Sequence, residues 1–414
     1  MKTGYRRLKS ACYATNLSMA IVGSMQSLLF VTFRELYGIS YSLLGTLVLI
    51  NFCTQLGMDL ILSFYSHKFN MEKTVRMIPL ITSAGLLIYA VYPMLFPETA
   101  YVGLVIGTVI FAASGGLVEV LISPVIAAIP SDNPDREMSK LHSIYAWGVV
   151  GVVLISTAFI QLFGGENWPI LALLWMILPA AAAVLYWGQP LPPMHTPEKS
   201  GTVARMAVKP SFFIFVACIF LGGASECPMS QWSSSYLEMA LNIPKVYGDV
   251  FGVALFAVML GLGRSLYAKF GRHVERVLLL GAIGAFLCYL TAALSNEPLV
   301  GLIACALTGL CVSMLWPGSL LASSNRFPAG GVAVFALMAA GGDLGGSVGP
   351  QVVGLVTDAA MNNKALVSWA AGLGLTADQI GMKAGLAVAC IFPLLAIVVF
   401  GIVWKGRNRS PRES

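Results

Sequence analysis

Runs of about 20 or more mostly apolar residues, parted by short polar or charged breaks, fill nearly the whole chain. A helix of that length crosses a hydrocarbon core of about 30 Å. The pattern predicts spans over 11–33, 42–66, 76–96, 101–128, 142–163 and 167–188. A polar, Pro-rich stretch, QPLPPMHTPEKSGTVARMAVKP, follows. Six more spans are expected over 210–237, 246–270, 275–295, 298–324, 330–357 and 381–404. The basic start MKTGYRRLKS precedes an apolar run that is too long for a signal peptide and ends at no small-residue cleavage site, so it reads as the entry to the first span. The expectation is an all-α membrane protein with twelve transmembrane helices. It divides into an N-terminal six-helix unit (1–188), a cytoplasmic linker (189–209) and a C-terminal six-helix unit with a short basic tail (210–414).

Composition agrees and narrows the class. The chain is 57% hydrophobic and 11% charged, whereas a soluble domain carries about 25% charged residues. That excludes a soluble enzyme, a secreted disulfide scaffold and a disordered chain, and it makes the lipid bilayer the solvent. The net charge of +6 is no nucleic-acid signal, because the basic residues sit in short breaks between apolar runs. Their distribution sets an orientation instead. With the N-terminus inside, 21 of the 25 Lys and Arg fall on one side, leaving Arg34, Lys245, Lys364 and Lys383 on the other. Both termini are therefore expected in the cytoplasm, and the bacterial inner membrane is the expected location. The eight cysteines show no CxxC or Cys/His spacing and read as small buried hydrophobes.

The two halves repeat at an offset of about 200 residues. SFYSHKFNMEKTVR follows the second span and SLYAKFGRHVERV the eighth, so that Tyr65 answers Tyr267 and Lys68–Phe69 answers Lys269–Phe270. Parallel six-helix repeats are the plan of one large transporter class. The chain resembles the major facilitator superfamily over essentially its whole length. The stretch Lys269–Arg272 (KFGR) is similar to that family's loop signature, and HKFN is its degenerate first-half copy, with Asn70 where Gly is common. Three further stretches resemble the fucose-permease-like sugar transporters: GGLVEVLISP (Gly115–Pro124), LHSIYAWGVVG (Leu141–Gly151) and GGDLGGSVGP (Gly341–Pro350). The first places an acid on the fourth span, as fucose permease has. The first span offers Gln26 rather than an acid at mid-depth, which departs from that pattern. The resemblance implies that spans 1, 4, 7 and 10 surround a central cavity.

Ionisable groups at membrane depth cost at least about 2.5–3.5 kcal/mol, which makes each a functional candidate. Glu119, Glu226 and Asp343 are candidates for binding a coupling cation. Glu119 also offers hydrogen bonds to solute hydroxyls, or else packs against a neighbouring helix. Pro228 removes the donor that Ala224 O would have met, so a free carbonyl beside Glu226 would suit a cation. Gln231 and Trp232 follow as an amide and an indole fit for a sugar, with an interfacial belt as the other role for Trp232. Asp343 lies in a ladder of Gly341, Gly345 and Gly349, a spacing that lets helices approach closely, so structural pairing is its alternative. Asp59 and Arg264 read as gate or packing charges. His142 and Tyr145 read as the inner mouth of the cavity. Trp316 faces it by analogy with the fourth span, and Gln26 and Asn325 add polar lining.

No P-loop or HExxH occurs, so no cofactor, metal or enzymatic activity is expected. A receptor on this plan would carry a larger soluble domain than a longest loop of about 20 residues allows. With acids at mid-depth and no Lys or Arg counted there, neutral polyols or cations fit better than anions. The reading is H⁺- or Na⁺-coupled symport of a neutral sugar-like small molecule by alternating access, for which a monomer suffices. The alternative is a proton-coupled exporter of cationic or amphipathic compounds.

Overall fold

The computed structural model describes residues 5–65, 68–130, 134–192, 210–271, 273–327 and 331–406. Helices account for the regular structure, and no strand occurs among the described residues. Nine helices there are long and apolar enough to cross a membrane, or ten if one bent pair counts as a single span. Large apolar side chains such as Leu162, Ile155, Val184 and Leu294 stand exposed on their outer faces, as expected where lipid is the solvent.

The helices begin where local chemistry asks them to. Asn70 Oδ1 accepts the amide of Lys73 at 3.0 Å and caps Met71–Leu95. Thr376 and Gln379 form a reciprocal capping box at the start of Ala377–Ala389. Pro134 and Pro298 stand first in their helices, where a missing N–H costs nothing.

The chain clusters into two units, Met1–Gly38 with Ile50–Glu198, and Ile39–Leu49 with Lys199–Ser414. In the first, the predicted span 11–33 is broken. Arg6–Leu28 and Phe30–Tyr37 meet at 51° around Leu29. Ser27 Oγ bonds back to Ser24 O at 3.0 Å in the last turn, a competition with the helix ladder that bends helices. The helices Tyr41–Tyr65, Met71–Leu95, Ala100–Ala128, Pro134–Phe163 and Trp168–Tyr186 follow. Leu62, Ile78, Leu121, Val125 and Leu141 pack with Leu8 and Cys12 into one apolar core. Trp168 lies edge-on to Phe33 at 4.9 Å and to Tyr89 at 5.7 Å.

The second unit holds Pro210–Leu241, Leu255–Phe270, Val274–Leu294, Pro298–Val312, Leu315–Arg326, Gly331–Asn362, Lys364–Ala371, Ala377–Ala389 and Ile391–Gly406. The helix Leu255–Phe270 is preceded by a π-helical turn at Gly248–Ala254. The predicted span 298–324 is divided at Ser313–Met314. Pro317 has no N–H for the carbonyl four residues back, and that carbonyl belongs to Ser313. The glycine ladder faces the 210–241 helix. A Cβ on Gly349 would meet Ala224 O at 2.9 Å, and one on Gly345 would collide with Phe220 O. Lys383, counted on the outer side at the start of the predicted span 381–404, is buried inside the 377–389 helix, with its ammonium donating to Ser295 O at the end of the 274–294 helix. Cationic groups are favoured at that end of a helix.

Candidate functional site

In the first unit the spacing of Asn51, Gln55 and Asp59, four residues apart, puts all three on one face of the 41–65 helix. An amide ladder runs along it. Gln26 Nε2 donates to Thr108 Oγ1 at 2.7 Å, Asn51 Nδ2 to Gln26 Oε1 at 3.3 Å, and Gln55 Nε2 to Asn51 Oδ1 at 2.7 Å. Each amide carbonyl is taken by the next amide until Gln55. Gln55 Oε1 stands 3.3 Å from the point where a Cβ on Gly115 would sit. A Cβ on the neighbouring Gly116 would meet Asp59 Oδ1 at 3.2 Å. The Gly115–Gly116 pair is therefore what leaves room for Gln55 and Asp59. One turn beyond Gly115 comes Glu119, and a carboxylate oxygen of Glu119 lies within 4.8 Å of one from Asp59. Asp59 is 7% exposed and Glu119 is accessible. Two carboxylates this close repel unless a proton or cation sits between them.

In the second unit Glu226 has a cationic neighbour. Arg264 Nη2 stands 4.0 Å from Glu226 Oε1, and Arg264 Nε donates at 3.1 Å to Ser313 O, the carbonyl that Pro317 set free. This corrects the charge inventory read from the sequence, because an arginine does reach a mid-depth acid. The carbonyl of Ala224, expected beside Glu226 as a cation ligand, is covered by Gly349 instead. Trp232 is also reassigned. It is fully buried, its Nε1 donates to Pro350 O at 3.0 Å, and its ring meets Tyr41 edge-on at 5.9 Å. Neither face is left for a sugar. Trp316 lies in a slot between Gly223 and Gly342, and a Cβ on Gly223 would come within 3.2 Å of its ring.

Of the remaining candidates, Gln26 is buried in the ladder and Asp343 is buried beside Gly342. Gln231 is half-buried, and Asn325 is exposed in the last turn of the 315–326 helix. The Tyr145 hydroxyl lies 3.7 Å from the Cβ position of Gly23. The side chain of His142 lies outside the described residues. Sequence reasoning missed Asn51 and Gln55, whose i, i+4 polar spacing with Asp59 inside an apolar run was the available signal, and Thr108 on the 100–128 helix, which carries no such signal. It also missed Asp249, which is fully buried in the π-helical turn. Asp249 accepts from Ser234 Oγ and pairs with Lys245 at 3.2 Å.

The polar face and the paired acids lie in a unit whose helices are apolar enough to cross a membrane. The model of the Major Facilitator Superfamily matches residues 12–350. No curated protein matches the sequence. Solved structures of similar fold include a D-xylose-proton symporter, at 14% identity and a TM-score of 0.77 over 99% of this chain and 98% of that one. The nucleoside transporter NupG is similar at 11% identity and 0.74, over 96% and 99%. A bacterial homolog of the human lysosomal transporter Spinster is similar at 14% and 0.73, over 98% of each. The chain is an integral membrane protein and belongs to the Major Facilitator Superfamily of transporters.

Proposed function

We propose that this transporter is a cation-coupled symporter of a neutral, sugar-like solute, built as two six-helix bundles of twelve spans in a bacterial inner membrane with both termini in the cytoplasm. The observation that carries the reading is the Asp59–Glu119 pair at the end of the amide ladder. Two facing carboxylates take up one H⁺ or Na⁺, which relieves their repulsion. Amides donate to and accept from hydroxyl groups without needing a charged solute. The Gln26–Asn51–Gln55 ladder supports that side of the reading. Glu226 has its charge answered by Arg264, so it is assigned to solute contact or gating rather than coupling. Asp343 is a second coupling candidate. The likeness of Gly115–Pro124, Leu141–Gly151 and Gly341–Pro350 to fucose-permease-like transporters supports a sugar.

The test is uptake of a solute panel into proteoliposomes under imposed pH or Na⁺ gradients. Neutral polyols and sugars should accumulate with one of the two gradients, and sugar acids or phosphorylated sugars should neither enter nor compete. Glu119→Gln and Asp59→Asn keep the shape of the site but remove its exchangeable charge. Driven accumulation should fall to background in both, while counterflow, which needs no net ion movement, continues. Wild-type accumulation in both variants refutes the assignment and moves attention to Asp343. Gradient-driven expulsion of organic cations in place of sugar uptake establishes the exporter alternative.

A further inference from the structure

The sequence pattern reads the eight cysteines as small buried hydrophobes, and Cys288 and Cys311 depart from it, because each is only half-buried. They stand on the 274–294 and 298–312 helices, which the short join at 295–297 makes antiparallel neighbours. A helical side chain leans toward the N-terminus of its own helix. On antiparallel neighbours, two side chains a turn apart in depth can therefore lean toward one another. Gly281 and Gly284 set the depth of Cys311. A Cβ on Gly281 would meet Cys311 O at 2.5 Å, and one on Gly284 would meet Cys311 Sγ at 2.6 Å. The Cys311 sulfur thus fills the space left by a missing side chain one turn before Cys288. The two thiols are hydrogen-bonded to each other, and Thr308, one turn before Cys311, shares a hydrogen bond with Cys288 as well. Cys311 also lines a cavity of about 350 Å³ that runs past Gly281 and Met314 to Tyr267, Phe270 and Gly271 at the end of the 255–270 helix. Phe270 and Gly271 are exposed, so the thiol pair has a route to the surface.

We propose that Cys288 and Cys311 form a binding site for a soft, two-coordinate divalent metal ion of the Hg²⁺ kind. Thiolate sulfur is a soft donor and selects soft ions. Ca²⁺ and Mg²⁺ need a shell of oxygen ligands, and Zn²⁺ asks for four ligands in a tetrahedron. Two sulfurs that face one another suit an ion content with a linear pair. Binding replaces two S–H bonds by two S–Hg bonds, releases two protons to water and moves no electrons. The S–Hg–S bridge that results carries no net charge. That matters in an apolar span, where a charged product is costly. A monovalent ion on the same two thiolates would leave one negative charge there. The sulfurs already touch, so the ion enters by parting them, and the two helices need not be drawn together. The site concerns neither the solute nor the coupling ion proposed above.

The experiment titrates the full-length protein in nanodiscs with mercuric chloride, up to one equivalent, in a Cys53→Ser parent that lacks the exposed cysteine of the first unit. Proton release is followed in weak buffer. Mercury retained on the protein is then measured as 2-mercaptoethanol is raised. The parent should hold one Hg²⁺ and release two protons. Cys288→Ser and Cys311→Ser should each release one proton, and each should lose the metal at a thiol concentration about 100-fold lower, because two tethered ligands act at high effective concentration. Cys305→Ser, which removes a buried thiol of the same helix, should behave as the parent does. Zn²⁺ at the same ratio should not be retained. Equal retention by the parent and either of the two Ser variants overturns the site. So does a single proton released by the parent, loss of the metal in Cys305→Ser, or retention of Zn²⁺. Cys288→Ala and Cys311→Ala carry the same comparison where a Ser variant does not elute as folded protein.

Discussion

A single buried charge in this protein is decided by what stands opposite it. Glu226 and Arg264 are 4.0 Å apart, and the arginine is also held by Ser313 O. The Arg264 side chain is 46% exposed, so solvent screens the pair. Arg264→Gln alone should therefore destabilise the fold by no more than about 1 kcal/mol. Glu226→Gln combined with Arg264→Gln should recover more than half of that. Thermal unfolding of the four proteins in detergent measures the coupling, and strictly additive losses would show that the two side chains do not act as a pair. The Asp59–Glu119 pair has the opposite character. Like charges face one another there, so removing one relieves repulsion, and on the coupling role proposed above the loss should appear in driven transport instead of stability.

At the scale of elements, the end of the 6–28 helix nearest the N-terminus is tied to the 134–163 helix by Glu137. That carboxylate accepts from the Tyr13 hydroxyl at 2.7 Å and pairs with Lys9 at 3.1 Å. Asn16 Nδ2 adds a bond to Leu141 O at 2.9 Å. The Tyr13 hydrogen bond first, and Lys9 with it, holds the Glu137 carboxyl below its ordinary range. A carboxyl lowered by folding contributes stability above its unfolded value, and the contribution is lost as pH falls through the folded one. Glu137 is partly exposed, so the contribution stays within about 1 kcal/mol. The difference in melting temperature between wild type and Glu137→Gln should be present at pH 7 and vanish as the pH is lowered below about 4. A difference that persists undiminished at low pH would rule out the ionised tie. These elements were legible to different degrees. The apolar runs located the helices because burying backbone in lipid leaves few other choices. The bend at Leu29 and the division at Ser313 depended on single side chains, although Pro317 did point four residues back to the carbonyl it freed.

For the whole molecule, topology carries the sharpest expectation. Single cysteines at Glu166, Lys245 or Asn363, in a background without native cysteines, should react with an impermeant maleimide added outside intact cells. Cysteines at Asn70 or Lys199 should react only after the membrane is permeabilised. The reverse pattern would invert the orientation argued from Lys and Arg. The sequence by itself determined the solvent of this protein, its helical class and its family, because each is written in composition, run length and short motifs that read the same in any packing. It also found the close approach along Gly341, Gly345 and Gly349, since a stripe without side chains has one physical use. Only the tertiary structure decided which polar groups meet. Asn51 and Gln55 gained meaning from Gln26 and Gly115 on other helices. Trp232 lost a solute role because Tyr41 and Pro350 enclose it, and Glu226 acquired Arg264 from a helix nearly 40 residues away in sequence. Partner choice between helices depends on rotation and depth, and a hydrophobic run long enough to span the membrane leaves both of those open.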